Sequence, residues 1–286
     1  MALLSACSSE EGSQESESGA AVSISRLWLP GTAETTNFTG VVGSLWNGSW
    51  IAAMALGIVV WGLIIWCIAR YRRRPADTGL PAQLRYNVPM EILYTVVPIF
   101  VVSVLFYFTA RDQAAIESRP ADPDVNIEVV AKQWSWDINY LDAEVYDTGR
   151  QSPVGNKDIN DIVPTVYLPA GQSVELTLRS RDVVHSFWVP AFNYKKDVIP
   201  GRTNYWAFTP QEEGSYVGKC AELCGQYHPQ MLFNVEVVSP ERYEDQLQAL
   251  RDAGQTGQLP TNIGRILTGD REEDQIGTQP GAEHKY

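Results

Sequence analysis

Two apolar stretches, residues 46–69 and 90–110, constrain this chain more than any other feature. Each is roughly 20 residues long, enough at about 1.5 Å per residue to cross a hydrocarbon layer about 30 Å thick. They predict a helical hairpin with two membrane spans. The segment between them carries Arg70, Arg72, Arg73, Arg74 and Arg85 against one acid, Asp77. By the positive-inside rule this loop, residues 70–88, faces the cytoplasm. Both flanking parts of the chain then lie outside the plasma membrane. The outer part is acidic: from Arg111 onward there are 27 acids against 16 bases, which accounts for most of the net charge of −12. Such a body repels nucleic acid and attracts a basic partner.

The start, Leu4-Ser5-Ala6-Cys7, reads as a bacterial lipobox, in which Cys7 carries a lipid anchor. The stretch before Cys7 lacks the basic and apolar regions of a signal peptide. A run rich in Ser, Glu and Gly follows, so residues 1–45 are expected to act as an extracytoplasmic tether.

Beyond Pro123 the pattern changes to short alternating or β-branched runs bounded by Gly, Pro, Asp or Asn. Strands are predicted at 125–131, 133–140, 163–168, 173–180, 203–209 and 231–238. This spacing predicts a Greek-key sandwich or barrel over residues 111–240. A polar loop at 142–162 interrupts it and is long for a hairpin connection. Residues 240–253 read as an amphipathic helix with Tyr243, Leu247 and Leu250 on one face. The polar, Gly- and Pro-rich remainder to residue 286 reads as a flexible tail.

The chemistry concentrates in Cys220-Ala221-Glu222-Leu223-Cys224-Gly225-Gln226-Tyr227-His228-Pro229-Gln230-Met231. Two thiols, an imidazole and a thioether fall within twelve residues, and His185 lies upstream at the end of a predicted strand. Soft sulfur with imidazole selects copper over a hard cation. Two thiolates four residues apart can bridge a pair of ions. Each copper can then take one histidine and one weak axial ligand, drawn from His185, His228, Met231 and a backbone carbonyl. A zinc site would leave Met231 unused. A disulfide between Cys220 and Cys224 would leave both histidines and the methionine unexplained, and an inert pair of core thiols is the plainest alternative. Cys67, in the first span, reads as a buried small hydrophobe. His284 has no evident partner.

The pattern C-x-E-x-C-x3-H-x2-M after a remote histidine resembles the copper A motif of cytochrome c oxidase subunit II. The resemblance extends over about residues 46–238 and implies a two-helix transmembrane hairpin carrying an all-β cupredoxin-like Greek-key barrel. It implies a binuclear copper A centre held by His185, Cys220, Cys224, His228, Met231 and the Glu222 backbone oxygen. The Glu222 side chain would reach a magnesium ion shared with subunit I, and haems would reside only in that partner. Gln133-Trp134-Ser135-Trp136-Asp137 resembles the family's aromatic patch, with Trp134 as the electron-entry residue. Ser135 departs from the aromatic residue usual between the two tryptophans, and alternation along a strand would also set Trp134 on a core stripe with Trp136, Ile138 and Tyr140. Glu91 resembles the carboxylate at the entrance of a proton-uptake route, although the dipole at a helix start favours an acid there in any case. The implied partners are the haem-copper subunit I, other oxidase subunits, membrane lipid, and cytochrome c or a membrane-bound cytochrome c of a bc-type complex. The lipobox and the 142–162 loop resemble actinobacterial members. A quinol-oxidising subunit II would keep hairpin and barrel without the copper ligands, and a membrane-tethered copper-delivery protein would need a labile, exposed, usually mononuclear site.

Overall fold

The structure is a computed structural model and describes residues 29, 34–76, 78–80, 83–152 and 162–261. Cys7, His284, Asp77 and part of the 142–162 loop lie outside the described residues.

The two apolar stretches form helices α1 (Thr39–Arg70) and α2 (Val88–Ile116), both long and apolar enough to cross a membrane. Their few hydroxyls turn back on the helix: Ser44, Ser49, Ser103 and Thr109 each donate to the carbonyl four residues earlier, at 2.7–2.9 Å. These four hydroxyls are thus satisfied within the segment, as an apolar solvent favours. Arg70 and the basic run after it end α1. A reciprocal cap opens α2: the Asn87 side chain accepts from the Met90 N–H at 3.3 Å, and the Glu91 carboxylate accepts from the Asn87 N–H at 3.2 Å. Cys67 is exposed on α1 rather than buried.

After α2 the chain folds into ten strands: β1 (Val125–Lys132), β2 (Ser135–Tyr140), β3 (Val145–Thr148), β4 (Thr165–Pro169), β5 (Val174–Ser180), β6 (His185–Val189), β7 (Tyr194–Val198), β8 (Asn204–Phe208), β9 (Gly214–Cys220) and β10 (Leu232–Val238). They form two five-stranded sheets, ordered β3-β2-β1-β5-β8 and β4-β10-β9-β6-β7. Two pairings are parallel, β1 with β5 and β4 with β10. Val125, Ile127, Val129 and Ala131 of β1 alternate inward and are buried. Trp136, Phe187, Phe192, Trp206 and Phe233 fill the space between the sheets. Phe187 and Phe233 stack at 4.2 Å, and Gly218 leaves room for them: a Cβ there would stand 2.0 Å from the Phe233 ring. Helix α3 (Pro240–Asp252), capped by the Ser239 side chain, lays Tyr243 and Leu247 against the sandwich as its spacing predicts.

The six predicted strands all form, with 133–134 falling in a turn before β2. Four further strands are new. β3 and β7 are edge strands, short and polar, and β9 carries Gly214, Gly218 and Lys219 in place of clean alternation. His185 opens β6 instead of closing the strand before it.

The hairpin joins the sandwich through several contacts. The segment before α1 pairs with the 209–211 segment, the Asn37 N–H donating to the Thr209 carbonyl at 3.0 Å and the Gln211 N–H to the Thr35 carbonyl at 3.1 Å. Just past α2, Glu117 accepts from Tyr194 and Lys196 of β7. Arg119 forms a two-pronged ion pair with Glu175 at 2.6 and 2.8 Å.

Candidate metal centre

The second sheet brings the sulfur and nitrogen donors together. β6 and β9 run antiparallel with Phe187 opposite Cys220, so His185 at the start of β6 lies beside Cys220 at the end of β9. The Ala221 N–H donates to the Ser186 carbonyl and the Cys220 N–H to the Met231 carbonyl, which fixes both ends of the loop between β9 and β10. One 3-10 turn, His228–Gln230, aims His228 back toward the loop.

The result is a compact cluster. The Cys220 and Cys224 sulfurs are 3.9 Å apart. The His185 Nδ1 lies 3.8 Å from the Cys220 sulfur, and the His228 Nδ1 3.5 Å from that of Cys224. The Met231 thioether is 3.8 Å from Cys224, and the Glu222 carbonyl oxygen accepts from the Cys220 thiol at 3.3 Å. His185, Cys220, Cys224 and Met231 are buried, and His228 is half-buried. His185, Cys220 and Cys224 present ligand atoms that all lie within 4.8 Å of one another.

Electrostatics fits a cation here. Burial opposes ionisation of Cys220, but the hydrogen bond and charge of His185 together with backbone hydrogen bonds at Ser186 and Glu222 outweigh it and hold the thiol at about 7. Burial, together with the charge of Cys220 beside it, pushes Cys224 up to about 12. Two buried thiolates this close repel each other, so both ionise only when a positive charge sits between them. Both cysteines are free thiols. Two thiols, two imidazoles, a thioether and a carbonyl form a soft donor set suited to copper.

His185 gains a partner that the sequence reading missed. Its Nε2 lies 2.7 Å from the Asp182 carboxylate, which leaves Nδ1 as the lone-pair nitrogen facing the sulfurs. Burial disfavours the charged ring, but the hydrogen bonds and negative charges of Asp182 and Cys220 together carry its pKa above the ordinary imidazole value. Asp182, three residues ahead of His185, had only that spacing to mark it.

The remaining predicted residues separate. Glu222 turns its carbonyl toward Cys220 and its carboxylate outward, 3.7 Å from the Lys195 ammonium. Trp134 stands in the β1–β2 turn, off the buried stripe of Trp136, Ile138 and Tyr140. Its indole N–H donates to the Cys224 carbonyl at 3.2 Å and its ring meets Tyr227 edge to face at 4.8 Å. Glu91 sits at the far end of α2, about 40 Å from the sandwich at about 1.5 Å per residue, and its carboxylate accepts from the capping N–H of Asn87. His228 lines an open groove of about 640 Å³ with Trp188, Tyr194, Lys195 and Lys219.

A β-sandwich behind an apolar hairpin, with a buried dithiol–imidazole cluster at one end, defines a class of domain whose donors could hold a soft metal. The profile of the family described as "Cytochrome C oxidase subunit II, periplasmic domain" matches residues 125–238. A probable cytochrome c oxidase subunit 2 of Streptomyces avermitilis is 46% identical over 252 residues, covering 78% of this chain and 79% of that protein. A cytochrome c oxidase subunit 2 of Mycobacterium tuberculosis is 34% identical over 253 residues, covering 71% of this chain and 70% of its own length. The crystal structure of the periplasmic domain of subunit II of cytochrome oxidase of Bradyrhizobium japonicum aligns with a TM-score of 0.43 at 26% identity, covering 46% of this chain and 96% of that one. The chain belongs to the cytochrome c oxidase subunit II family.

Proposed function

We propose that the chain accepts electrons singly from a cytochrome c and relays them to the haem-copper subunit I, where dioxygen is reduced to water with coupled proton pumping. The observation that carries this reading is the pair of buried thiols 3.9 Å apart, flanked by two imidazole Nδ1 atoms and a thioether. In this reading His185, Cys220, Cys224, His228, Met231 and the Glu222 carbonyl hold a binuclear copper A centre. A copper pair held there would supply a redox site that changes by one electron with little rearrangement.

The protein's own groups do the rest. The stacked Phe187 and Phe233 lie in the core behind the loop and keep water from its inner side. The indole of Trp134, joined to Cys224 by one hydrogen bond, offers the entry point for the donor's electron. The acidic outer body draws a basic donor toward it. The outward Glu222 carboxylate is the proposed magnesium ligand at the subunit I junction, and Glu91 the proposed proton-uptake entrance. The hairpin spans the plasma membrane with its basic loop in the cytoplasm, and Cys7 carries the lipid.

Copper analysis and electron paramagnetic resonance on the full chain purified in detergent test this reading. Two coppers per chain with a seven-line hyperfine pattern are expected, both lost in Cys220→Ser. One copper with a four-line pattern overturns the relay and favours copper delivery.

A further inference from the structure

The β1–β2 turn belongs to the first sheet, yet it grips both sides of the metal-binding loops carried by the second. The Gln133 backbone N–H donates to the Asp182 carboxylate at 2.6 Å, and the other oxygen of that carboxylate lies 2.7 Å from the His185 Nε2. The Gln133 side-chain amide donates to the Cys224 carbonyl at 2.7 Å, beside the Trp134 indole N–H on the same oxygen. Gly225 makes this approach possible. It adopts φ +129°, and a Cβ there would stand 3.0 Å from the Trp134 ring and 3.2 Å from the Gln133 amide nitrogen. One residue therefore ties a histidine to a cysteine across the cluster.

The two imidazoles are held unequally. His185 is fully buried and aimed by a carboxylate. His228 is half-buried beside the open groove, and among the described residues its Nε2 has no hydrogen-bond partner. An imidazole whose far N–H donates to a carboxylate becomes a stronger, more rigid donor to a metal.

We infer that Asp182 and Gln133 are positioning residues, which lock His185 and the Cys224 backbone to the Trp134 turn and make the His185 half of the centre the stronger-donating one. This rests on the copper reading above. The coupling has a direction: a stronger donor favours the oxidised centre, so weakening the Asp182 contact raises the midpoint potential. Gln133 reaches that carboxylate through its backbone N–H and the Cys224 carbonyl through its side chain, so replacing the side chain leaves the Asp182–His185 contact in place.

The test uses the full chain in detergent, with Asp182→Asn, Gln133→Ala and the double variant, each checked for a native near-ultraviolet dichroism spectrum. In the metal-free chain, proton resonance should show a downfield, slowly exchanging imidazole N–H that moves upfield in Asp182→Asn. In the copper-loaded chain, Asp182→Asn should raise the midpoint potential and change the nitrogen hyperfine coupling of one imidazole only. Gln133→Ala, which keeps the backbone N–H on Asp182, should shift the potential by less and leave the imidazole nitrogen couplings unchanged, and the two shifts should add in the double variant. A potential and couplings unchanged in Asp182→Asn, or an imidazole coupling that moves in Gln133→Ala, overturn the inference. A native chain that takes up no copper pair overturns the relay function instead, and the N–H resonance then decides the Asp182 contact by itself.

Discussion

The hairpin and the sandwich use the same apolar residue types to opposite ends. Ile58 of α1 and Phe106 of α2 are 72% and 70% exposed, whereas Ile127 of β1 and Phe233 of β10 are fully buried. In the sandwich each ring has a shaped place, and stability comes from packing at close to crystal density. In the hairpin the side chains face outward along two helices, and what they require is a solvent as apolar as themselves, supplied in the proposed reading by lipid. An apolar residue therefore means packing in one region and partitioning in the other.

Substitutions separate the two meanings. Phe233→Ala should cost about 3–5 kcal/mol of sandwich stability, read from denaturant unfolding of the full chain in detergent by near-ultraviolet dichroism. A cost under about 1 kcal/mol would mean that the aromatic stack is not the core. Leu56→Arg, near the middle of α1, should cost about 2.5–3.5 kcal/mol in a membrane-insertion assay and leave the unfolding of the sandwich unchanged. Normal insertion would break the reading of α1 as a span. Gly218→Ala should destabilise the sandwich by about 1–3 kcal/mol through collision with Phe233, and Phe233→Leu should relieve part of that loss. Purely additive costs would show that the two positions do not press on each other. Ile58→Ala should change neither insertion nor unfolding by more than about 0.5 kcal/mol, because no protein packs on that side chain.

The smallest expected effect lies where the two regions meet. Partial burial pushes the Glu117 carboxyl up, but hydrogen bonds from Lys196 and Tyr194 outweigh it and hold its pKa below the ordinary carboxylate value. A carboxylate with a lowered folded pKa stabilises the contact above its unfolded value, about 4.3, and loses that contribution as pH falls through the folded value. Spin labels flanking the junction should therefore report loosening below about pH 4, and Glu117→Gln should abolish that pH dependence. Loosening that persists in Glu117→Gln would assign it to another group.

Much of this was legible without coordinates. Two runs of about 20 apolar residues need only composition to announce themselves, and six strands followed from alternating or β-branched runs bounded by turn residues. The cysteine-bearing loop was legible because its soft donors are close in sequence and rare in type. The edge strands β3 and β7 and the glycine-bearing β9 were not, since partners across the sheet decide them and their own pattern does not. Trp134 shows the same limit: alternation assigned it to the core stripe, and the turn ahead of β2 removed it.

The sequence by itself determined the hairpin, the acidic β-domain and the ligand types, because hydrophobicity, charge and donor softness are properties of single residues. Only the tertiary structure decided that His185, 35 residues before Cys220, stands beside it, and that Asp182 holds that histidine while the Gln133 backbone holds Asp182 from a separate turn. Those contacts arise from the pairing of β6 with β9 and the stacking of one sheet on the other. Long-range register of this kind is fixed by packing, which no local pattern encodes.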